Sequence, residues 1–202
     1  MKQHWEQVYT TKSSNSVSWY QQRPALSLYW IERTDVAIDA GIIDVGGGAS
    51  VLVDNLLRDG YRSLSVLDLS GAALAVAQQR LGDDATQVQW IEGDITTVAL
   101  PHHGYAVWHD RAVFHFLTEP TDREVYIAQL RHAVKPGGHI IIATFALDGP
   151  LKCSGLPVMR YSAALMQSTL GPEFELIKNT QELHETPTGA NQSFLYCHFI
   201  RR

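Results

Sequence analysis

The stretch Asp44-Val45-Gly46-Gly47-Gly48-Ala49-Ser50 sets a carboxylate two residues ahead of three glycines, at the end of an apolar run. Glycines let a backbone turn sharply and approach a ligand closely, and a following helix start offers free N–H groups. Taken alone, this pattern fits a tight structural turn or the phosphate loop of a dinucleotide enzyme as well. The dinucleotide fingerprint G-x-G-x-x-G, begun at Gly46, needs a glycine at position 51, where Val51 stands. That argues against a nicotinamide cofactor. Two acids accompany the loop. Asp68 closes the next apolar run, where a carboxylate is able to accept hydrogen bonds from both hydroxyls of a ribose. Asp94, in Glu92-Gly93-Asp94-Ile95, is spaced to meet an adenine amino group with Ile95 against the ring.

A second group of reactive side chains follows at Trp108-His109-Asp110-Arg111-Ala112-Val113-Phe114-His115-Phe116. Few strand-to-helix turns carry His, Asp and Arg in succession. His109 and His115 are candidates to accept a proton near neutral pH, and Asp110 with Arg111 is expected to form an ion pair that shapes a pocket. The competing reading of the trio is a salt-bridged turn, and that of His115 a core histidine. A third group, Phe145, Lys152, Cys153, Arg160 and Tyr161, surrounds an irregular loop, where acceptor specificity commonly resides. Lys152 and Arg160 would attract an anion there.

Alternating strand and helix patterns must position these groups. Ala37–Val45 reads as a strand, and Leu52, Val53, Leu56 and Leu57 follow at helical spacing. A second strand spans Leu64–Leu69. Ser70 is placed to cap a helix that stops at Gly82. Strands at Val88–Ile91 and Tyr105–Trp108 precede a helix from Thr121, where Thr121-x-x-Glu124 has the form of a capping box. After Lys135-Pro136-Gly137-Gly138, His139–Phe145 is apolar throughout, as a strand covered on both faces should be. Ser162–Leu170 reads as a short helix, and Phe174–Lys178 and Ser193–Ile200 as the last strands. A parallel α/β sheet binds its ligands beyond the carboxyl ends of its strands. The glycine loop, Asp68, Asp94 and the His-Asp-Arg trio all fall at such ends.

The chain has 202 residues, which suits one domain rather than two. A formal charge of −5 and the absence of a basic cluster disfavour a nucleic-acid partner. Cys153 and Cys197 are the sole cysteines and form no C-x-x-C pair, so neither a zinc site nor a disulfide framework is expected. The polar opening MKQHWEQVYT is no signal peptide, and Ile140–Leu147 is too short for a membrane span, which needs ~20 residues. A cytoplasmic protein, monomeric or homodimeric, without metal and without membrane contact, is the expectation.

In ordered combination, Asp44, Gly46, Gly48, Asp68, Asp94 and the Pro136-Gly137-Gly138 turn resemble the class I S-adenosylmethionine-dependent methyltransferases over residues 37 to 147. The resemblance implies a Rossmann-like, seven-stranded, mostly parallel sheet with helices on both faces and the last strand antiparallel. It implies S-adenosylmethionine as cofactor, leaving as S-adenosylhomocysteine, held by Asp44, Gly46, Gly47, Gly48, Asp68, Leu69, Asp94 and Ile95. Residues 1 to 36, with Trp5, Tyr9, Trp19 and Tyr20, would form a cover over the cofactor, Trp19 touching it. Residues 148 to 202 would supply the acceptor-side loop and final strands. One departure is Ser50, where the family's loop usually has its third glycine. His109, Asp110 and Arg111 become candidates for catalysis, and His115, Phe145, Lys152, Arg160 and Tyr161 for acceptor contact. A small-molecule acceptor is the first reading. A protein lysine, or cofactor binding without catalysis, stays open.

Overall fold

The computed structural model describes residues 1–202. Seven strands form one sheet: β1 (Ile42–Val45), β2 (Leu64–Asp68), β3 (Val88–Glu92), β4 (Tyr105–Arg111), β5 (Val134–Phe145), β8 (Phe174–Glu185) and β9 (Asn191–Arg201). Between them, β6 (Lys152–Cys153) and β7 (Leu156–Pro157) make a separate two-stranded ribbon. The spatial order is β3-β2-β1-β4-β5-β9-β8. Strands β1 to β5 pair in parallel, and β9 runs antiparallel to both neighbours. The chain leaves β1 in opposite lateral directions toward β2 and β4, which opens a crevice at their carboxyl ends.

Helices α1 (Lys2–Thr11), α2 (Ala25–Glu32), α3 (Leu52–Arg58), α4 (Gly71–Leu81), α5 (Pro120–Ala133) and α6 (Ala163–Leu170) complete the fold. Burial divides the core into two clusters, one on each face of the sheet. Tyr126 and Leu130 of α5 pack with Trp108, Ile140 and Ile142 on one face, and Ile31, Leu52 and Leu74 of three helices pack with Val66, Val107 and Ile141 on the other. Alternation along β4 and β5 thus feeds both clusters, so these central strands are apolar on both sides.

Several element boundaries differ from the sequence expectation. The first strand begins at Ile42, not Ala37, because the chain turns at residues 38–40, where Ala40 N donates to Ala37 O at 2.9 Å. β5 begins at Val134, before the Pro-Gly-Gly turn. Val134 pairs with Tyr105 and His139 with Val107, so residues 135–138 bulge out of the ladder between the two pairs. The last two strands are far longer than expected, since they pair with each other from Phe174↔Arg201 to Glu185↔Asn191.

Helix α5 starts at Pro120 with Glu119 as N-cap, and no side chain caps it. Proline pre-sets the first helical φ, so the start needs no capping box, and Thr121 already lies inside the helix. Ser70, by contrast, accepts a hydrogen bond from Ala73 N at 3.1 Å, and α4 stops at Gly82 with φ +58°. Ser70→Ala should therefore cost about 1 kcal/mol of stability and Thr121→Ala close to nothing. Equal effects of the two substitutions on urea midpoints would contradict these helix starts.

Candidate active site

The glycine loop is shaped by close approaches on every side. Gly46 has φ +70°, and a Cβ on it would collide with Val113 Cγ2 at 2.0 Å. A Cβ on Gly48 would stand 2.5 Å from Asp68 Oδ2, and one on Gly47 2.5 Å from Asp44 Oδ2. The loop is therefore a cradle only hydrogen side chains fit, with two carboxylates beside it. Leu67 O accepts from Gly46 N at 2.7 Å and from Gly47 N at 3.3 Å, which locks the loop to β2. Ser50 does not disturb this turn: its Oγ accepts from Leu52 N at 3.1 Å and starts α3. Arg80 clamps the outside, donating to Ala49 O, Ser50 O and Asp54.

A cavity of about 220 Å³ opens at the ends of β1, β2, β3 and β4. Gly46, Asp68, Leu69, Asp94, Ile95 and Trp19 all line it, so the fold brings six of the nine proposed cofactor residues to one space. Asp44 and Gly47 line a smaller adjoining cavity, which Gly46, Trp19 and Arg111 share with the larger one. Asp68 Oδ1 accepts from Ser70 N at 2.8 Å, leaving Oδ2 toward Gly48. Burial pushes its carboxyl up to about 7, against the pull of the Ser70 amide, with Asp44 and Glu6 adding repulsion. Asp94 Oδ1 is occupied by Thr96, accepting from its N at 2.9 Å and its Oγ1 at 2.7 Å.

The N-terminal segment roofs the larger cavity. Met1, Trp5, Tyr9 and Trp19 line it. Trp5 stands edge-on to Trp19 and to Phe116, with ring centroids 5.5 and 5.3 Å apart, and Trp19 Nε1 donates to Tyr9 OH at 3.2 Å. Glu6 of α1 accepts from Gly71 N at 2.7 Å and Ala72 N at 3.3 Å, capping α4 from across the crevice. Nothing local in the sequence marks Glu6 for that role, because its partners are 65 and 66 residues away.

The His-Asp-Arg trio splits. His109 is buried with both ring nitrogens engaged, Nδ1 with Asp44 Oδ1 at 2.7 Å and Nε2 with Ser27 Oγ at 2.9 Å. Ser27 Oγ continues to Tyr196 OH at 3.3 Å, to which Arg111 Nε donates at 3.0 Å. A polar chain thus runs from the glycine loop to Arg111. Asp110 is fully buried and does not pair with Arg111. Its carboxylate accepts from Val113 N at 2.9 Å, Phe114 N at 3.1 Å and Tyr126 OH at 2.6 Å, and it fixes the turn where Ala112 adopts φ +73°. Burial raises its carboxyl to about 6, opposed first by the Tyr126 hydroxyl. Arg111 faces Glu182 instead, 3.6 Å away, and alone of the three lines the larger cavity.

The acceptor-side expectations correct in a similar way. His115, Phe145 and Tyr161 are buried in the core, Lys152 is exposed, and Arg160 donates to Gly149 O at 3.2 Å; none of the five lines the cavity. His115 has no polar partner, and desolvation lowers it to about 3, so its ring is neutral. The ribbon β6–β7 folds Cys153 inward and leaves its charged neighbour Lys152 outside. Cys153 lines the cavity with its thiol pushed up to about 12 by burial, which leaves it protonated. Phe116, Leu117 and Thr96 complete the wall and were not singled out by residue type, being ordinary core and turn residues in sequence. No cluster of His, Cys, Asp and Glu suited to a metal ion is present, and no helix is long and apolar enough to cross a membrane.

Residues 42–138 match the family described as a methyltransferase domain. The chain is 26% identical to EEF1A lysine methyltransferase 2 of Danio rerio over 71% of its own length and 67% of that protein. It is 32% identical to malonyl-[acyl-carrier protein] O-methyltransferase of Halalkalibacterium halodurans, over 53% of this chain and 40% of that one. With ubiquinone biosynthesis O-methyltransferase of Serratia proteamaculans the identity is 23%, over 78% and 58%. The matches thus span from two fifths to two thirds of these relatives. Among solved structures, one from work on the conversion of a disulfide bond into a thioacetal group during echinomycin biosynthesis superposes with a TM-score of 0.79 at 17% identity, covering 100% of this chain and 92% of that one. A 1,6-didemethyltoxoflavin-N1-methyltransferase of Burkholderia thailandensis, solved with S-adenosylhomocysteine, gives 0.70 at 16%, covering 99% and 86%. Sheet order, glycine cradle and sequence match converge: residues 42–138 are similar to a methyltransferase domain, and the whole chain has the fold of the solved S-adenosylmethionine-dependent methyltransferases.

Proposed function

We propose that this chain transfers a methyl group from S-adenosylmethionine to a small-molecule acceptor. The observation that carries this reading is the larger cavity. One end presents Asp68, Asp94 and Ile95, groups suited to a nucleoside, and the remainder is walled by Trp5, Trp19, Phe116 and Cys153 beneath the α1 roof. The cradle fits the cofactor in kind: side-chain-free backbone beside two carboxylates, with apolar surface for a ring. When bound, the cofactor supplies a methyl group on a positively charged sulfur. The protein's part is to hold the acceptor in line with it and keep water out.

Asp68 would accept from the ribose hydroxyls through Oδ2, Asp94 from the adenine amine through its unengaged oxygen, and Ile95 and Leu69 would flank the ring. The buried Asp44–His109–Ser27 chain keeps the loop in shape. Asp110 acts on the exit of β4, so its contribution is to positioning. Methylation of a protein lysine is the second reading, favoured by the similarity to a lysine methyltransferase over 71% of the chain. Incubation with methyl-labelled cofactor separates the two. The small-molecule reading expects label in the low-mass fraction of a lysate extract, and label confined to protein bands would overturn it.

Asp68→Ala should weaken S-adenosylhomocysteine binding by ~1.5–3 kcal/mol, the range for hydrogen bonds to a charged group. An unchanged dissociation constant would remove Asp68 from the site. The raised carboxyl of Asp68 also sets a pH dependence. Its proton is held more tightly in the unliganded fold than in the unfolded chain, so this group favours folding as pH falls from about 7 toward 4. Hydroxyl donors need the ionised form, so affinity should fall as pH drops through 7. In Asp68→Asn the same calorimetric titration should be flat with pH, and a retained slope would assign it elsewhere.

Asp110→Ala leaves two backbone amides and the Tyr126 hydroxyl without their acceptor. It should cost at least about 3 kcal/mol, at roughly 1–3 for each buried group left unsatisfied. A urea midpoint near wild type would contradict its structural role.

A further inference from the structure

Trp5 and Tyr9 of α1, Trp19 of the segment that follows it and Phe116 beyond the exit of β4 all line the larger cavity. None of the four is sealed in the core: each is only partly buried, so ring surface remains for a ligand. Their planes turn from one to the next. Tyr9 meets Trp19 at 72° with 6.3 Å between centroids, Trp19 meets Trp5 at 84° and 5.5 Å, and Trp5 meets Phe116 at 75° and 5.3 Å. Rings set nearly at right angles stand as walls around a space, where parallel ones would fill it by stacking. An aromatic face is the negative side of its quadrupole, and a box of such faces, tryptophan above all, holds a cation.

The other groups of this wall leave charge recognition to the rings. Burial raises Tyr9 and pushes Cys153 up to about 12, so both stay neutral. Arg111 reaches the cavity as one half of an ion pair: Glu182 faces it at 3.6 Å, its guanidinium lies over the Phe194 ring at 4.2 Å, and its Nη2 is sealed from solvent. An anion brought here would lose its water and find no free cation. The remaining ionisable groups, Asp68, Asp94 and Asp122, are carboxyls. Rings and carboxyls together favour a ligand that carries, or comes to carry, positive charge.

Resting on the methyltransferase reading above, we propose that the acceptor is a small uncharged molecule that attacks through a tertiary nitrogen or a thioether sulfur, and that its product is an onium cation held among Trp5, Tyr9, Trp19 and Phe116. The acceptor's lone pair forms the new bond to the methyl carbon while the carbon–sulfur bond breaks toward sulfur. Positive charge passes from that sulfur to the acceptor atom, the spent cofactor leaves neutral, and no proton is released or taken up. One positive charge thus stays within the aromatic box from start to finish. Trp5, which meets both Trp19 and Phe116, is the specificity-determining wall.

The test is binding of two onium ions, phenyltrimethylammonium and dimethylphenylsulfonium, and of their uncharged isosteres tert-butylbenzene and isopropylbenzene, to protein saturated with S-adenosylhomocysteine, read by Trp fluorescence and calorimetry. At least one onium should bind about tenfold or more tighter than its isostere, and which one does so assigns the nitrogen or the sulfur class. Trp5→Leu, which keeps an apolar wall but removes the ring, should cut that preference below about threefold, and Trp5→Phe should keep part of it. Isosteres that bind as tightly as both oniums, benzoate that binds as tightly as either, or a preference that survives in Trp5→Leu overturns the proposal. So does a Trp5→Leu protein that loses affinity for S-adenosylmethionine but not for S-adenosylhomocysteine and keeps the onium preference, which would give the ring to the cofactor's sulfonium alone. If Trp5→Leu does not fold, as circular dichroism would report, Phe116→Leu decides by the same criteria. Absence of S-adenosylhomocysteine binding by the wild type defeats the underlying reading, and is distinguishable because it precedes any onium being added.

Discussion

The buried contact between Asp44 and His109 is the constraint on which the rest of the site is built. Asp44 lies one residue before the end of β1, beside a loop that leaves no room for a Cβ, and a carboxylate so enclosed needs a partner. His109, directly across on β4 in the Asp44↔His109 register, supplies it. The imidazole's second nitrogen then requires Ser27, and Ser27 brings in Tyr196 and through it Arg111. Each polar group is buried only because the next one satisfies it. The arrangement has the composition of a hydrolytic triad, yet Ser27 is fully buried and shares its hydroxyl with Tyr196, so its office is structural.

A parallel device operates at the end of β4. Asp110 points to the opposite side of the sheet from His109 and holds the amides of Val113 and Phe114 in a turn that keeps Val113 against Gly46. Neighbouring residues on one strand thus do different work because the strand alternates its faces. His109 supports the loop, Asp110 folds the exit, and Arg111, next in line, is delivered to the cavity. Of three consecutive ionisable side chains that read as one catalytic unit, the pleat sends Asp110 to one face and His109 and Arg111 to the other.

What was legible in the sequence was local. The α4 start at Ser70 and stop at Gly82 depend on contacts within a few residues, so residue types alone predict them. The clustering of Asp68, Asp94 and Ile95 followed from their spacing at strand ends. What escaped was set by partners distant in the chain. The true beginning of β5 depends on pairing with Tyr105, and the length of β8 and β9 on their mutual ladder. Arg111 finds Tyr196 85 residues later, and Glu182 likewise on the final hairpin. Charge and position suggested Lys152 and Arg160 for the acceptor, whereas the ribbon turned Cys153 inward and left Lys152 in solvent.

The capping of α4 by Glu6 carries a consequence for traffic through the molecule. The same helix that lays Trp5 over the cavity also satisfies two amides on the opposite bank. Lifting it would uncover an indole and strand a helix start at once, so half-open states gain little from either. Such a roof behaves as a latch rather than a hinge that yields by degrees. Molecules exchanged beneath it would pass in discrete episodes, and their residence would be governed by how often one glutamate lets go.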